Sequence, residues 1–519
     1  MSDLDLDDFD YEPPVRKTAD PVVAYLLKKG PQLSGVVARH LEVSLNISNE
    51  AARQRVQRSK KEVRRADTIT FPKKAQFLYL PEQFASQRYW DNLIDALRDN
   101  KTAYGLAIVA MLAHGGVIEE RLFPIVCGAP ERQKKHLSAT TIKDRLIQVG
   151  LLELIIEGGK SYISVRRNIN KTRIEYIPNL KSRMFVENIV IDYLSAWMKN
   201  LGIISFDSIK TRRDDVLPTV GRLSWDITAP TYLHPMLRVL KDGPREPGFV
   251  ACDILLDNVT YDAARVFLHK CSLLRSSRNI NCMQMLVANR FDKSAFQILK
   301  AGGVIPATIG NLFGRKVAKS IEALPQLIVE SFNEGVDVEK LDTLLNSMAE
   351  FEGKFGQLRG DLFEFLVAQA VRKTTADGMI YMNYSLRSGG KSAEVDIISY
   401  SRGGGIRFIE CKGKNQYLPL PDKDIERWVG HTMPIVFEYI SQHPEWKKEK
   451  ITFELWTTAK LSKIGNDMIE GAASKFERKF NILVKRPADI LSEFENLKDR
   501  ALINCITNHY IAKSKKKSS

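Results

Sequence analysis

Apolar positions along the first third of the chain recur at helical spacing and then switch to alternation, twice over. PVVAYLLKKG, from Pro21, predicts a helix closed by Gly30-Pro31, and a second helix runs through Val36 and Leu41. A third opens at Ser48, a residue type suited to an N-cap. In SNEAARQRVQRSKK, Ala52 and Val56 lie four apart on one face, so Arg53, Gln54, Gln57, Arg58, Lys60 and Lys61 project outward. The period then falls to two in DTITFPKKAQFLYL, which predicts a hairpin turning at Pro-Lys-Lys.

The same order recurs in AYGLAIVAMLAHGG, VIEERLFPIVCG and SATTIKDRLIQVGLL, read as three helices. The last turns Ile142, Leu146 and Val149 inward and carries Lys143 and Arg145. LELIIEGGKSYISV follows as a hairpin turning at Gly158-Gly159. Two winged-helix units are therefore expected, over 17–88 and 89–168. Their third helices would offer guanidiniums, amides and ammonium groups to phosphates and base edges, or, as the bland alternative, the units would serve as protein-contact modules.

The last third carries the chemistry. GDLFEFLVAQAV is a helix holding Glu364, and AEVDIISYSRGGGIRFIECKGK reads as a hairpin turning at Gly403–Gly405. Asp396 is expected at the end of its first strand, and Glu410 and Lys412 on one face of the second with Cys411 behind them, because strand residues two apart share a side. Clustered carboxylates need a cation, and hard oxygen ligands suit Mg²⁺, with Mn²⁺ as an alternative. The expected ligands are Asp396, Glu410, the main-chain carbonyl of Cys411, and Glu364. Lys412 would orient the nucleophile and offset charge on the phosphate.

Glu364, Asp396 and the Glu410-Cys411-Lys412 triplet, followed by helix, strand, helix and strand, resemble the PD-(D/E)XK, or restriction-endonuclease-like, superfamily of nucleases over about residues 345–490. A Val, not Pro, precedes Asp396. The resemblance implies a metal-dependent nuclease domain, given bounds of 345–495, whose catalytic set is Glu364, Asp396, Glu410 and Lys412.

Residues 171–340 repeat the order of elements. MFVENIVIDYLSAWMKN puts Glu187 where the later helix has Glu364, and LSWDITAP puts Asp226 where Asp396 stands. Matching GFVACDILL to RFIECKGK sets Ala251 against Glu410 and Asp253 against Lys412. A degenerate nuclease-like α/β domain is expected there, with an unrelated α/β domain as the alternative, and Arg212, Arg213, Arg265, Lys270 and Arg275 are candidate phosphate contacts. The fold class is thus multidomain α+β and α/β, two winged helices followed by two restriction-endonuclease-like domains, the first degenerate.

Composition sharpens the choice of partner. The 519 residues carry 77 Lys+Arg against 62 Asp+Glu, a net charge of +15, which favours a polyanion. Six scattered cysteines without a CxxC pair indicate neither a disulfide framework nor zinc, and His269 with Cys271 lacks further ligands. Gly302-Gly303 and Gly403–Gly405 lack the Lys-Ser/Thr of a phosphate-cradling loop. His431, Lys414, Asn415 and Gln416 are read as surface polar residues. Residues 1–16 form an acidic leader expected to be disordered, and 496–519 a C-terminal helix with a basic tail. No secretion signal or membrane span is indicated, so a cytoplasmic, non-membrane protein is expected.

The leading expectation is a Mg²⁺-dependent DNA endonuclease, and the resemblance implies restriction or anti-phage defence as its setting. Three alternatives stay open: a DNA-binding regulator or scaffold with inert nuclease folds, a strand-nicking nuclease of transposition or recombination, and a ribonuclease. One intact site per chain implies a homodimer if both strands are cut, and further protein partners are possible in a defence or recombination complex.

Overall fold

The computed structural model describes residues 20–131, 136–157, 160–166, 177–205, 207–238, 246–276, 280–333, 338–349, 356–375, 378–401, 403–414 and 419–511. The acidic leader, the turn at Gly158-Gly159, Asn415, Gln416 and the basic tail lie outside them. The chain is mixed α and β with several separate sheets. It divides into two compact units: residues 1–109, 141–152 and 165–173 form one, and 110–140, 153–164 and 174–519 the other. The segment 89–168 is thereby shared between units. Among the described residues no helix is long and apolar enough to cross a membrane.

In the first unit, helices Pro21–Lys29, Ser34–Leu45 and Asn49–Arg58 pack Leu26, Val37, Leu41, Ala52 and Val56 against Leu78 of strand Phe77–Tyr79, which pairs with strand Arg64–Ala66. The order is helix, short strand Gln32–Leu33, two helices, then two strands, with Phe77–Tyr79 central in the sheet. Ser48 caps the third helix by accepting the Ala51 N–H at 3.3 Å. That helix ends at Arg58, so Lys60 and Lys61 lie beyond it rather than on its outer face.

The second unit opens with another three-stranded sheet, in which Val117–Glu119 pairs with Lys160–Val165, and Tyr162 faces Glu119 in the register. VIEERLFPIVCG is not one helix: it begins as that strand, passes through a 3-10 turn over Glu120–Leu122 and is α-helical only over Phe123–Cys127. Pro124 accounts for the late start, being accommodated at a first helical position and not within a helix.

Two five-stranded sheets follow. The first orders β5-β4-β3-β2-β1, with β1 (Lys210–Thr211), β2 (Ile227–Thr231), β3 (Gly248–Val259), β4 (Cys282–Phe291) and β5 (Ile305–Thr308). The second orders β6-β7-β8-β9-β10, with β6 (Met379–Ser388), β7 (Lys391–Ser401), β8 (Gly405–Lys412), β9 (Ile451–Thr457) and β10 (Asn481–Lys485). In each, the first three strands in chain order are antiparallel and the last three parallel.

Helix α1 (Ile177–Asn200) precedes the first sheet, and α2 (Tyr261–Ser276) and α3 (Lys293–Ala301) make its parallel crossovers. Helix α4 (Arg315–Asn333) and α5 (Val338–Ala349) lead to α6 (Gly356–Thr374) before the second sheet. Its crossovers are α7 (Asp422–Arg427) with α8 (Met433–Gln442), and α9 (Lys463–Phe476). The stretch DKDIERWVGHTMPIVFEYI is therefore interrupted, by a π-helical turn over Trp428–Thr432. Helices α10 (Pro487–Asn496) and α11 (Arg500–His509) close the chain.

One continuous core joins the inner faces of both sheets. It holds Val186 and Val190 of α1, Ile227 and Cys252 of the first sheet, Leu362, Phe363 and Leu366 of α6, and Ile397, Ile409 and Cys411 of the second. Phe185 of α1 meets Phe365 of α6 edge to face at 5.7 Å. The outer faces have cores of their own, under α2 and α3 on one side and α7 to α9 on the other.

Candidate active site

The Asp396, Glu410 and Lys412 side chains meet because β7 and β8 are adjacent antiparallel strands. Ile397 pairs with Ile409, and extending that register by one residue sets Asp396 opposite Glu410. Asp396 does not end its strand, since β7 runs on to Ser401 and it is the pairing with β8 that stops beside Asp396. Beyond that last pair, the Cys411 N–H donates to Asp396 Oδ2 at 2.7 Å, so the carboxylate takes over where the ladder ends. Lys412 Nζ donates to Glu410 Oε1 at 2.6 Å. Cys411, between them, points back into the core.

These side chains, with half-buried Glu364 of α6, line a pocket of about 510 Å³. The four residues singled out from the sequence are thus brought together. Burial raises the Asp396 carboxyl, and the neighbouring Glu410 raises it further. Lys412 and the Cys411 N–H only partly offset this, leaving it at about 7. Burial alone would lower Lys412, but Asp396 and Glu410 more than compensate and hold it well above the usual lysine range. A carboxylate driven toward protonation beside a second acid has the electrostatic signature of a place short of positive charge.

The donor set of hard carboxylate oxygens fits Mg²⁺. The three carboxylates are not drawn into a ready-made cage. Among the described residues, only Asp342, Cys505 and His509 form a group of three or more such ligand atoms all within 4.8 Å of one another. In that group His509 Nε2 already sits 2.8 Å from Asp342 Oδ1, a hydrogen-bonded pair.

Several pocket residues escaped the sequence reading. Glu394 lies two positions before Asp396, a spacing that could have flagged it. Asn383 of β6 also lines the pocket, with φ +50°, a backbone conformation uncommon outside glycine. The β6–β7 register, Met382 with Ile397, sets it opposite Asp396. Lys160, Lys181 and Arg427 line the same pocket from elsewhere in the chain, and no local signal marks them. His431 Nε2 lies 3.2 Å from the Ser392 carbonyl, and Lys414 pairs with Asp424 at 3.4 Å.

The equivalent place in the first sheet holds a different arrangement. Ile227 pairs with Cys252, so Asp226 stands opposite Asp253, and Asp226 Oδ2 accepts the Ile254 N–H at 2.8 Å as Asp396 accepts that of Cys411. The register therefore matches Asp253 to Glu410 and Leu255 to Lys412, correcting by two residues the pairing of Ala251 with Glu410 and Asp253 with Lys412. A two-residue slip leaves every side chain on the same face, so the apolar pattern could not detect it.

Here Arg212 reaches Glu187 at 2.7 Å and Asp226 at 3.2 Å, Arg183 reaches Glu187 at 3.2 Å, and Lys270 pairs with Asp253 while donating to the Ile125 carbonyl. Arg212 and Lys270 are buried, so neither is a surface phosphate contact as the sequence had suggested. Arg213 pairs with Asp192, Arg265 with Asp262, and Arg275 with the Gln284 amide.

Of the candidate nucleic-acid residues, Arg53, Gln54, Gln57, Arg58, Lys60 and Lys61 are exposed on the first unit. Lys143 is half-buried beside Asp144 at 3.9 Å, and Arg145 donates to the Tyr104 hydroxyl at 2.7 Å, which ties it inward. All six cysteines are free thiols.

No family description and no curated protein matches this sequence. Two solved structures share a partial likeness, each over 30% of this chain. One is the EndoMS–dsDNA2 complex, at 12% identity over 64% of that chain, and the other a repair endonuclease from Pyrococcus abyssi, at 11% identity over 65%; both have a TM-score of 0.17. The chain thus spans just under two thirds of either protein, and so slight a likeness transfers no activity from them.

Proposed function

We propose that this chain is a divalent-cation-dependent nuclease of the PD-(D/E)XK type that hydrolyses phosphodiester bonds at the pocket holding Glu364, Asp396, Glu410 and Lys412. The observation that carries the reading is the approach of two carboxylates and one lysine from adjacent strands at the end of their ladder, with a helix-borne glutamate on the same pocket. A structural ion pair would need neither the second, half-buried acid nor an open cavity.

Asp396, Glu410, Glu364 and the Cys411 carbonyl would hold the cation, Mg²⁺ or Mn²⁺. Bound there, it would supply Lewis-acid polarisation of a phosphate oxygen. Lys412, kept protonated by its two acidic neighbours, orients the attacking water and offsets charge that develops on the phosphate. Glu410, hydrogen-bonded to Lys412, fixes the direction of that ammonium group.

The first unit is read as a winged helix that docks the substrate, DNA in the first instance, through the exposed cations of Asn49–Arg58 and the residues after it. A second such element order, over 89–168, is divided between the two units. The first five-stranded sheet is read as a degenerate copy of the nuclease fold. Restriction or defence is the setting we favour for such an enzyme.

The test compares purified wild type with Lys412→Ala on plasmid DNA, single-stranded DNA and RNA, with Mg²⁺ or with EDTA. Wild type should cut with Mg²⁺ only, and the variant should lose about 10²–10³-fold in rate. Equal degradation by both proteins, or no loss with EDTA, removes the catalytic assignment.

A further inference from the structure

The candidate pocket has a wall that the second five-stranded sheet and its helices do not supply. Strand Lys160–Val165 turns Lys160 and Tyr162, two apart, toward it, and Glu119 beside Tyr162 joins them. Helix α1 divides its first turns between two tasks. Ile177 and Leu180 pack with Val117, Ile155 and Tyr162 under the small sheet, Lys181, Phe185 and Asn188 line the pocket, and Met184 does both. Both sets follow helical spacing. Arg183 fastens the two elements by donating to the carbonyls of His114 and Val117 at 2.7 and 3.1 Å. The wall is therefore packed and hydrogen-bonded, not a loop resting against the opening.

This wall presents two ammonium groups. Lys160 Nζ lies 3.1 Å from Glu394, the acid two residues before Asp396, and Lys181 Nζ lies 3.5 Å from Glu157. Both pairs are partly exposed, the side chains retaining between 34% and 49% of their accessible surface. Exposed pairs of this kind are weak, so an incoming phosphate can displace the carboxylate readily. Releasing Glu394 would return an acid to a pocket that then also holds the substrate's cation.

Resting on the nuclease reading above, we propose that Lys160 and Lys181 bind backbone phosphates flanking the scissile bond, and that Glu394 holds Lys160 in place until substrate arrives. The ligand is a polynucleotide recognised by its phosphodiester backbone, and the wall acts as the substrate-side clamp of the active site.

The experiment uses the full chain carrying Lys412→Ala, so that bound substrate persists, with fluorescein-labelled single-stranded and duplex oligonucleotides titrated at several salt concentrations. Adding Lys160→Ala should weaken binding roughly threefold or more and reduce the slope of log K against log salt by about 0.7–0.9, the value of one lost phosphate contact. Lys181→Ala should do likewise, and Lys160→Arg should restore the slope. Glu394→Gln should tighten binding, which loss of a merely structural ion pair would not do, and this variant decides the matter if the lysine variants fail to fold. An unchanged slope in both folded lysine variants, or weaker binding in Glu394→Gln, overturns the proposal. Failure of the nuclease reading is separable, because then the protein with Lys412 intact cuts no substrate whatever these slopes show.

Discussion

The two five-stranded sheets have the same strand order and directions, and each sets an acid at the end of an antiparallel ladder opposite a second acid. They differ in where the compensating positive charge comes from. In the first sheet the chain provides it: Arg212 bridges Glu187 and Asp226, and Lys270 covers Asp253, all buried. In the second, Lys412 pairs with Glu410, and an open pocket adjoins them. The registers locate the exchange. Ile227 pairs with Thr211, so Arg212 faces Asp226, while Asn383 faces Asp396. A neutral amide thus stands where the first sheet has its guanidinium, and Lys412 stands where the first sheet has Leu255. Acid clusters alone do not make a metal site. The cation site proposed above is the cluster whose acids the chain itself leaves incompletely neutralised.

The largest effect should come from making the second sheet imitate the first. On the proposed nuclease function, Asn383→Arg is expected to place a guanidinium against Asp396 and Glu410 and to lower cleavage by about 10²–10³-fold, the size of effect that a lost electrostatic stabiliser has in active sites. It should also remove any rise in melting temperature that Mg²⁺ produces in wild type, since binding to the native state alone is what raises it. A variant that still cuts and still responds to Mg²⁺ would mean that position 383 does not govern cation access.

Next in size is the converse change. Arg212→Ala leaves Glu187 and Asp226 buried without their shared partner and should cost about 3–5 kcal/mol in denaturant unfolding. Lys412→Ala should cost about 1 kcal/mol or less, because a proton on Asp396, already raised to about 7, relieves much of the repulsion. Similar losses in the two variants would erase the distinction between a self-neutralised cluster and an open one.

The smallest expected effect is a pH dependence. Burial would raise Glu187, but Arg212 and Arg183 more than offset it and hold the carboxyl below its ordinary 4.5. The folded state therefore binds this proton more weakly than the unfolded chain, so the contribution is complete above pH 4.5 and lost as pH falls through the folded-state value. Unfolding free energy should decline on acidification below about 4.5, the carboxylate range. Glu187→Gln should flatten that limb while lowering stability at neutral pH.

Much of the candidate site is legible in the amino-acid pattern. Glu410 and Lys412 alternate about a buried Cys411, so strand periodicity alone fixes which way they point, whereas the helix of Glu364 buries Leu362, Phe363, Phe365, Leu366 and Val367 around it and offers no such local period. The pattern picks out Asp396 but misplaces it at a strand end, because the ladder with β8 stops there although β7 itself continues. The π-helical turn at Trp428–Thr432 leaves no mark on the apolar pattern, which runs on through it. Lys60 and Lys61 read as part of a helix that stops at Arg58, because outward-facing positions carry no packing signal to show the end.

By itself the sequence determined the helices and strands with a buried face and the identity of the acids, since these depend on neighbours within one or two turns. It also set the positive charge that favours a polyanion. Tertiary structure alone decided the register of β3, where a slip of two residues preserves every facing and so costs the pattern nothing. It likewise decided that Lys160 would meet Glu394 across 234 residues, and that Arg212 would fill the place left to Asn383 in the second sheet. Such pairings are created by chain closure and strand pairing, which no local periodicity encodes.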